Sequence, residues 1–177
     1  ATLQTLKPCN FPAGRLQLSH VKQGYSLGII TLSDSAQRGK REDSSGPAIE
    51  EILGQNLNLT FCCRYLLADS KAELKSLLTH LALEQGLDLI LTTGGTGIAP
   101  SDITPDATLN VLEKRLPGFE QVMMQTALTK THHAIISRAV AGSLGHSLIV
   151  NLPGSPAAVK ENLSPILPAL EHTLNKL

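Results

Sequence analysis

The run best suited to holding an anion is Thr92-Thr93-Gly94-Gly95-Thr96-Gly97, because glycines let backbone N–H groups approach phosphate oxygens closely. It follows an apolar stretch, at what would be the carboxyl end of a buried strand, where open α/β sheets hold their ligands. The same glycines would also serve a plain tight turn. Two familiar phosphate fingerprints are absent: there is no Gly-x-x-x-x-Gly-Lys-Ser/Thr, and residue 100 is Pro where Gly-x-Gly-x-x-Gly needs Gly. Asp102-Ile103-Thr104-Pro105-Asp106-Ala107-Thr108 comes shortly after Gly97. Two carboxylates beside a phosphate cradle repel the phosphate unless a divalent cation lies between them. Mg²⁺ suits that place, since it takes hard oxygens from one or two carboxylates and from substrate phosphates. The structural alternative is that Thr104 caps a helix and Asp106 merely favours its positive end.

Other strand ends add to this set. Asp69 ends the second apolar segment, and Ser33 and Asp34 end the first. In a parallel sheet all three reach the edge that carries the glycine loop, and adjacency of the second and third strands would bring Asp69 beside it. Taken alone, Asp69 could be an ordinary loop carboxylate. Asn151-Leu152-Pro153-Gly154-Ser155-Pro156 offers a turn and another helix N-terminus able to meet an anion. Ser137-Arg138 supplies the best-placed basic group, since an Arg fork matches phosphate or carboxylate; a surface ion pair is the alternative. If the segment is extended, His132 and His133 point to opposite sides and share no metal. Cys62 and Cys63 likewise diverge on a strand, so with Cys9 they read as buried free thiols.

The elements that must position these groups alternate. Leu27–Leu32 is a β-branched run ending at Ser33, and a loop carrying Gly39, Lys40, Arg41, Glu42 and Asp43 leads to a helix from Ser45-Gly46-Pro47 to about Leu57. Its core face is Ile49, Ile52 and Leu53. Leu59–Leu67 is the second strand. Ser70-Lys71-Ala72-Glu73 has capping-box spacing, with Leu74, Leu77, Leu78 and Leu81 on one helical face and Gly86 as a stop. Leu87–Thr93 is apolar enough to be buried on both sides. Beyond it, the pattern predicts helices from Thr104 to about Leu116 and from Phe119 to about Thr129. Strands follow over Ala134–Val140 and Ser147–Leu152, then a C-terminal helix that Pro165 and Pro168 kink or divide. The fold class is α/β, with a largely parallel sheet and helices on both faces.

Bulk properties exclude other classes. At 177 residues the chain suits one domain, with residues 1–26 as an N-terminal extension and 27–177 as the domain. Apolar residues at 42% and charged residues at 17% are those of a folding chain, not a disordered one. Fifteen Lys+Arg cancel 15 Asp+Glu, so there is no basic surplus for nucleic acid. No apolar run is long enough to span a membrane, and a cytoplasmic location is expected.

The ordered set of Thr92–Gly97, Asp102–Thr108, Leu116-Pro117-Gly118-Phe119, Ser137-Arg138 and Asn151–Gly154 resembles the MogA/MoaB family of molybdenum-cofactor biosynthesis proteins, which includes the gephyrin and plant Cnx G domains. The resemblance covers about residues 27–174. It implies a three-layer α/β fold, a homotrimer, and molybdopterin adenylyltransferase activity: Mg²⁺-ATP and molybdopterin give adenylylated molybdopterin and pyrophosphate. It also implies hand-over of the product to a molybdenum-insertion enzyme. By this resemblance Asp69 and Asp102 are the catalytic, Mg²⁺-holding pair. Ser33, Asp34, Gly94, Gly95, Thr96, Gly97, Asp106, Ser137, Arg138, Pro153 and Gly154 are assigned to substrate and nucleotide. Asp69 distinguishes the chain from MoaB-type members in which that carboxylate is displaced. One departure is Ala127, where many active relatives carry a Ser that could hold the pterin; Thr126 is the nearby hydroxyl. The alternative function is a molybdopterin-binding or trimeric scaffold protein without catalysis.

Overall fold

The computed structural model describes residues 23–177 except 38, 40 and 41. Pro8, Cys9, Pro12 and Gly14 of the extension, and Lys40 and Arg41 of the loop, lie outside the described residues. Side-chain alternation sets the architecture. In β1 (Tyr25–Leu32), Leu27 and Ile29 join one core, whereas Ile30 and Leu32 join another. β3 (Leu89–Thr93) divides Leu89 and Leu91 from Ile90, and β6 (Ser147–Leu152) divides Leu148, Val150 and Leu152 from Ile149. Strands apolar on both sides must be covered twice. Gly28 belongs to the second face, where a Cβ would sit 2.9 Å from Leu87.

After a short α1 (Asp34–Gln37), the first face is covered by α2 (Ser45–Asn56), α5 (Pro117–Leu128), α6 (Pro156–Leu163) and α7 (Leu167–Leu174), through Ile49, Leu53, Met123, Val159, Leu163 and Leu170. On the second lie α3 (Lys71–Thr79), a π turn over His80–Glu84, and α4 (Thr104–Leu109), through Leu74, Leu78, Leu81 and Ala107. Each large side chain so buried contributes about 1.5–3 kcal/mol. The result is the expected three-layer α/β fold. Its six-stranded sheet runs β2-β1-β3-β6-β5-β4, with β2 (Leu59–Leu67), β4 (Lys114–Arg115) and β5 (Ala141–Leu144). The β2, β1, β3 and β6 strands are parallel to their neighbours, while β5 is antiparallel to β6 and β4 to β5. From β1 the chain crosses first to one side and then to the other, so the carboxyl ends of β1 and β3 flank a topological switch point, where α/β ligand sites lie.

Several expectations are corrected. The second and third strands are not neighbours, because β1 lies between them. The helix from Thr104 stops at Leu109, and Lys114–Arg115 leaves it to pair with β5. Ala134–Val140 is not a strand: a 3₁₀ turn spans His132–Ile136, residues 137–140 are irregular, and β5 begins at Ala141. His132 and His133 therefore sit on that turn rather than on extended chain. Cys62 and Cys63 do face opposite cores but are only half-buried. Burial and the neighbouring Glu50 push the Cys62 thiol up to about 11. By contrast, Ser70 caps α3 by accepting from the Glu73 N–H, and the C-terminal helix divides into α6 and α7.

Candidate functional site

A cleft of about 460 Å³ opens over the carboxyl ends of β1 and β3. Its floor is main chain. The Gly94 N–H donates to Leu152 O at 3.1 Å, and the Thr93 hydroxyl donates to Pro153 O at 2.7 Å, tying the end of β3 to that of β6. Gly94 (φ +97°) and Gly95 (φ +62°) occupy the left-handed region that side chains rarely enter. Neither has room for one: a Cβ on Gly94 would strike Leu32 O, and one on Gly95 would lie 2.7 Å from Thr104 Oγ1. Gly154 packs on Gly94 so closely that an added Cβ would be 3.2 Å from the Gly94 Cα.

Thr104 is fully buried and does not cap its helix; Ile103 holds the N-cap position. The Thr104 hydroxyl donates instead to Gly94 O at 2.8 Å, and its N–H donates to Gly95 O at 3.1 Å. These bonds pin the glycine loop to α4. Behind them Asn151, also fully buried, donates to Thr92 Oγ1 and Thr108 Oγ1, each at 2.9 Å, and accepts from the Val140 N–H at 3.3 Å.

Carboxylates gather above this floor. Asp34, Glu42, Asp43, Asp69 and Asp102 line the cleft, and none of its described lining residues is Lys or Arg. The Asp69 N–H donates to Asp34 Oδ1 at 3.1 Å, and Asp69 Oδ1 would lie 3.7 Å from a Cβ on Gly95. Asp102 Oδ2 would lie 2.7 Å from one on Gly97 and accepts from the Ala99 N–H at 2.8 Å. Partial burial and then the Asp34 charge raise the Asp69 carboxyl above the ordinary carboxylate range; a hydrogen bond from the Asp34 backbone opposes this, and Asp102 adds to it. Asp43 is different, because its carboxylate is engaged: Oδ1 accepts from the Ser45 and Gly46 N–H groups at 3.0 Å each, and Oδ2 from the Thr31 hydroxyl at 2.9 Å. It closes the N-terminus of α2 and leaves that end little capacity for an anion.

The residues singled out from sequence fall into three groups. Ser33, Asp34, Asp69, Gly94, Gly95, Asp102 and Gly154 line the polar cleft. Thr96, Gly97, Ser137 and Pro153 line a second, mainly apolar hollow of about 290 Å³, which also receives Met123, Met124, Ala127 and Glu161. The glycine loop is a wall of both. Thr126, the hydroxyl nearest Ala127 in sequence, does not line that hollow. Asp106 and Arg138 lie outside both, at a third depression shared with α5. Sequence reasoning missed the buried hydroxyl of Thr104, the Asn151 knot, and Asp43 with Ser45, whose hydroxyl donates to Gly154 O at 2.7 Å. Only Asp43 carried a readable signal, a carboxylate just ahead of a helix start.

A family model described as a probable molybdopterin binding domain matches residues 28–172. The chain belongs to the MogA/MoaB family. Among relatives, the molybdopterin adenylyltransferase of Helicobacter pylori strain J99 is 40% identical over 154 residues, 86% of this chain and 88% of that protein. The molybdopterin adenylyltransferase of Escherichia coli K12 is 41% identical over 138 residues, 77% of this chain and 71% of that protein. Among solved structures, the molybdopterin biosynthesis enzyme MoaB of Thermus thermophilus superposes with a TM-score of 0.79 at 42% identity, covering 86% of this chain and 95% of that one. A cation held between the carboxylates and a phosphate is a chemical test of the acidic cleft. No group of three His, Cys, Asp or Glu able to hold a metal occurs among the described residues. Two carboxylates nevertheless fit Mg²⁺, which fills its shell with phosphate oxygens and water; burial is the first cause of the raised Asp69 carboxyl, and the Asp34 and Asp102 charges that add to it are the part a cation would relieve.

Proposed function

We propose that the protein is a molybdopterin adenylyltransferase of molybdenum-cofactor biosynthesis, joining Mg²⁺-ATP and molybdopterin to give adenylylated molybdopterin and pyrophosphate. The observation that carries this reading is the convergence of Asp69 and Asp102, from separate elements, on a glycine loop that admits no side chain. The polar cleft takes the nucleotide phosphates, and the apolar hollow, on the other side of that loop, takes the pterin. The terminal phosphate of molybdopterin attacks the α-phosphorus of ATP, and pyrophosphate leaves. A phosphate oxygen is already ionised near neutral pH, so this chain needs no strong general base; its residues position and screen the reactants. Asp69 and Asp102 would hold Mg²⁺, which when bound supplies charge neutralisation for the phosphates. Ser33, Asp34 and the loop N–H groups beyond Gly94, whose own N–H is engaged by Leu152 O, orient the nucleotide.

The test is pyrophosphate release from ATP, Mg²⁺ and molybdopterin, with wild type beside Asp69→Asn. Release that depends on Asp69 is expected. Molybdopterin binding without release would instead support the non-catalytic binding protein, and the absence of any ligand-induced thermal shift would support a scaffold. A homotrimer belongs to the same reading, supported by the exposed Ile98 (70%) and Ile135 (72%), and is checked by light scattering in solution. So do a cytoplasmic location, where ATP is at hand, and hand-over to a molybdenum-insertion enzyme. No described helix is long and apolar enough to cross a membrane.

A further inference from the structure

Arg138 is the basic residue that sequence spacing offers to a phosphate, yet its guanidinium is aimed at the protein. Nε donates to Gly97 O at 2.7 Å and one terminal nitrogen donates to Asp102 O at 2.6 Å. The other terminal nitrogen meets both oxygens of Asp106 at 3.1 and 3.2 Å. The Arg138 N–H adds a bond to Thr96 O at 2.8 Å. Arg138 itself does not line the 460 Å³ cleft.

We propose that Arg138 is a positioning residue that clamps the two ends of the 98–101 loop, Gly97 and Asp102, and thereby sets the Asp102 carboxylate over the glycine loop. The geometry follows from the chain between the two clamped carbonyls. Residues 98–101 are exposed, and their described internal ties run between Asp102 and Ala99 and between Ser101 and Ile103: Ala99 N–H to Asp102 Oδ2, Asp102 N–H to Ala99 O, and Ile103 N–H to Ser101 O. Thr104 anchors Gly94 and Gly95 beside the start of α4, but none of the described ties within residues 98–101 reaches Gly97, so the loop itself leaves the Gly97–Asp102 separation unset. The planar fork of an arginine sets it, because its donors diverge at a set angle and can serve two carbonyls and a carboxylate together. A lysine ammonium is a point donor on a flexible stem and cannot reproduce that spread. The ion pair with Asp106 is partly exposed on both sides, 38% and 45%, so the two carbonyl bonds are the parts of the clamp that matter.

The kinetic arm of the test rests on the adenylyltransferase reading, whereas a second arm does not. Arg138→Lys and Arg138→Ala are assayed for kcat and for KM of ATP. A misplaced Asp102 lowers kcat by about 10–100-fold, the scale of a shift near 1 Å, and because Asp102 also holds the cation that accompanies ATP, KM for ATP rises by a smaller factor than kcat falls. A KM raised tenfold or more with kcat retained would mean direct contact with the nucleotide and would overturn the proposal. In the ligand-free protein, hydrogen exchange of the Ala99 amide is expected to quicken about tenfold or more in both variants, while the Leu91 and Val150 amides in the sheet keep wild-type protection. Unchanged exchange at Ala99 would overturn the clamp, as would loss of sheet protection in the lysine variant, which would make Arg138 a fold residue instead. If wild type releases no pyrophosphate, the enzymatic reading fails and the exchange arm alone decides the role of Arg138.

Discussion

Replacing Gly95 by Ala sets two separable costs against each other. The first is conformational: at φ +62° an alanine Cβ costs about 1–2 kcal/mol. The second is steric, since that Cβ would sit 2.7 Å from Thr104 Oγ1, a fully buried atom that cannot swing into solvent. The hydroxyl must give way and release Gly94 O, which then lacks its side-chain donor, for about 1–3 kcal/mol more. Gly95→Ala should therefore lose about 2–5 kcal/mol, or roughly 4–20 °C in Tm for a chain of this length. Thr104→Ala alone loses the same hydrogen bond, about 1–3 kcal/mol. The double variant has already vacated the contested space, so it incurs the conformational cost and the lost bond once each and should be about as stable as Gly95→Ala. A double-mutant cycle in urea, read by circular dichroism, then gives a coupling of about 1–3 kcal/mol, whereas uncoupled sites add to within about 0.5. Additive effects would refute the claim that Thr104 is what makes residue 95 a glycine.

Asp69→Asn and Asp102→Asn should each cut pyrophosphate release by about 10²-fold or more while leaving the far-ultraviolet spectrum unchanged; turnover at the wild-type rate would remove that residue from the mechanism. Because burial, Asp34 and Asp102 raise the Asp69 carboxyl, the folded protein binds that proton at a higher pH than the unfolded chain does. Its ionised form is thus a penalty at neutral pH that fades as pH falls through the raised value. Asp69→Asn should accordingly be more stable than wild type at pH 7, with the advantage vanishing once pH drops below the ordinary carboxylate range; an advantage that grows on acidification would contradict the sign. Asn151→Leu strands the Thr92 and Thr108 hydroxyls and the Val140 N–H inside the protein. It should lose about 2–5 kcal/mol in chemical denaturation, and a loss below about 1 kcal/mol would show that the knot relaxes freely.

The layered fold was legible because its signals are local. Two-sided apolar runs mark β1, β3 and β6, and the Ser70 capping box and the prolines at 165 and 168 mark helix ends. What failed depended on partners distant in sequence. Lys114–Arg115 resembles the tail of a helix until β5 supplies a ladder, and Ala134–Val140 has the composition of a strand but folds into a 3₁₀ turn and an irregular bridge. The site divides in the same way. Glycines and carboxylates announce themselves by type, which is how Asp69, Asp102 and Gly94–Gly97 were found. Thr104 and Arg138 are defined by which carbonyl each reaches, 10 and 41 residues away, and no spacing rule conveys that. Nor could spacing show that β1 separates the strands carrying Asp69 and the glycine loop.

The face-to-face contact of Gly94 with Gly154 bears on how this scaffold can diversify. A Cβ at Gly94 strikes the Leu32 carbonyl and one at Gly154 crowds the Gly94 Cα, so each position resists replacement on its own account and the base of the cleft is poorly open to stepwise drift. Novelty in what the cleft selects has more room at its margin, at Glu42 or Ser44, where side chains are exposed and replaceable. A directed-evolution library meant to retarget the protein belongs at those positions.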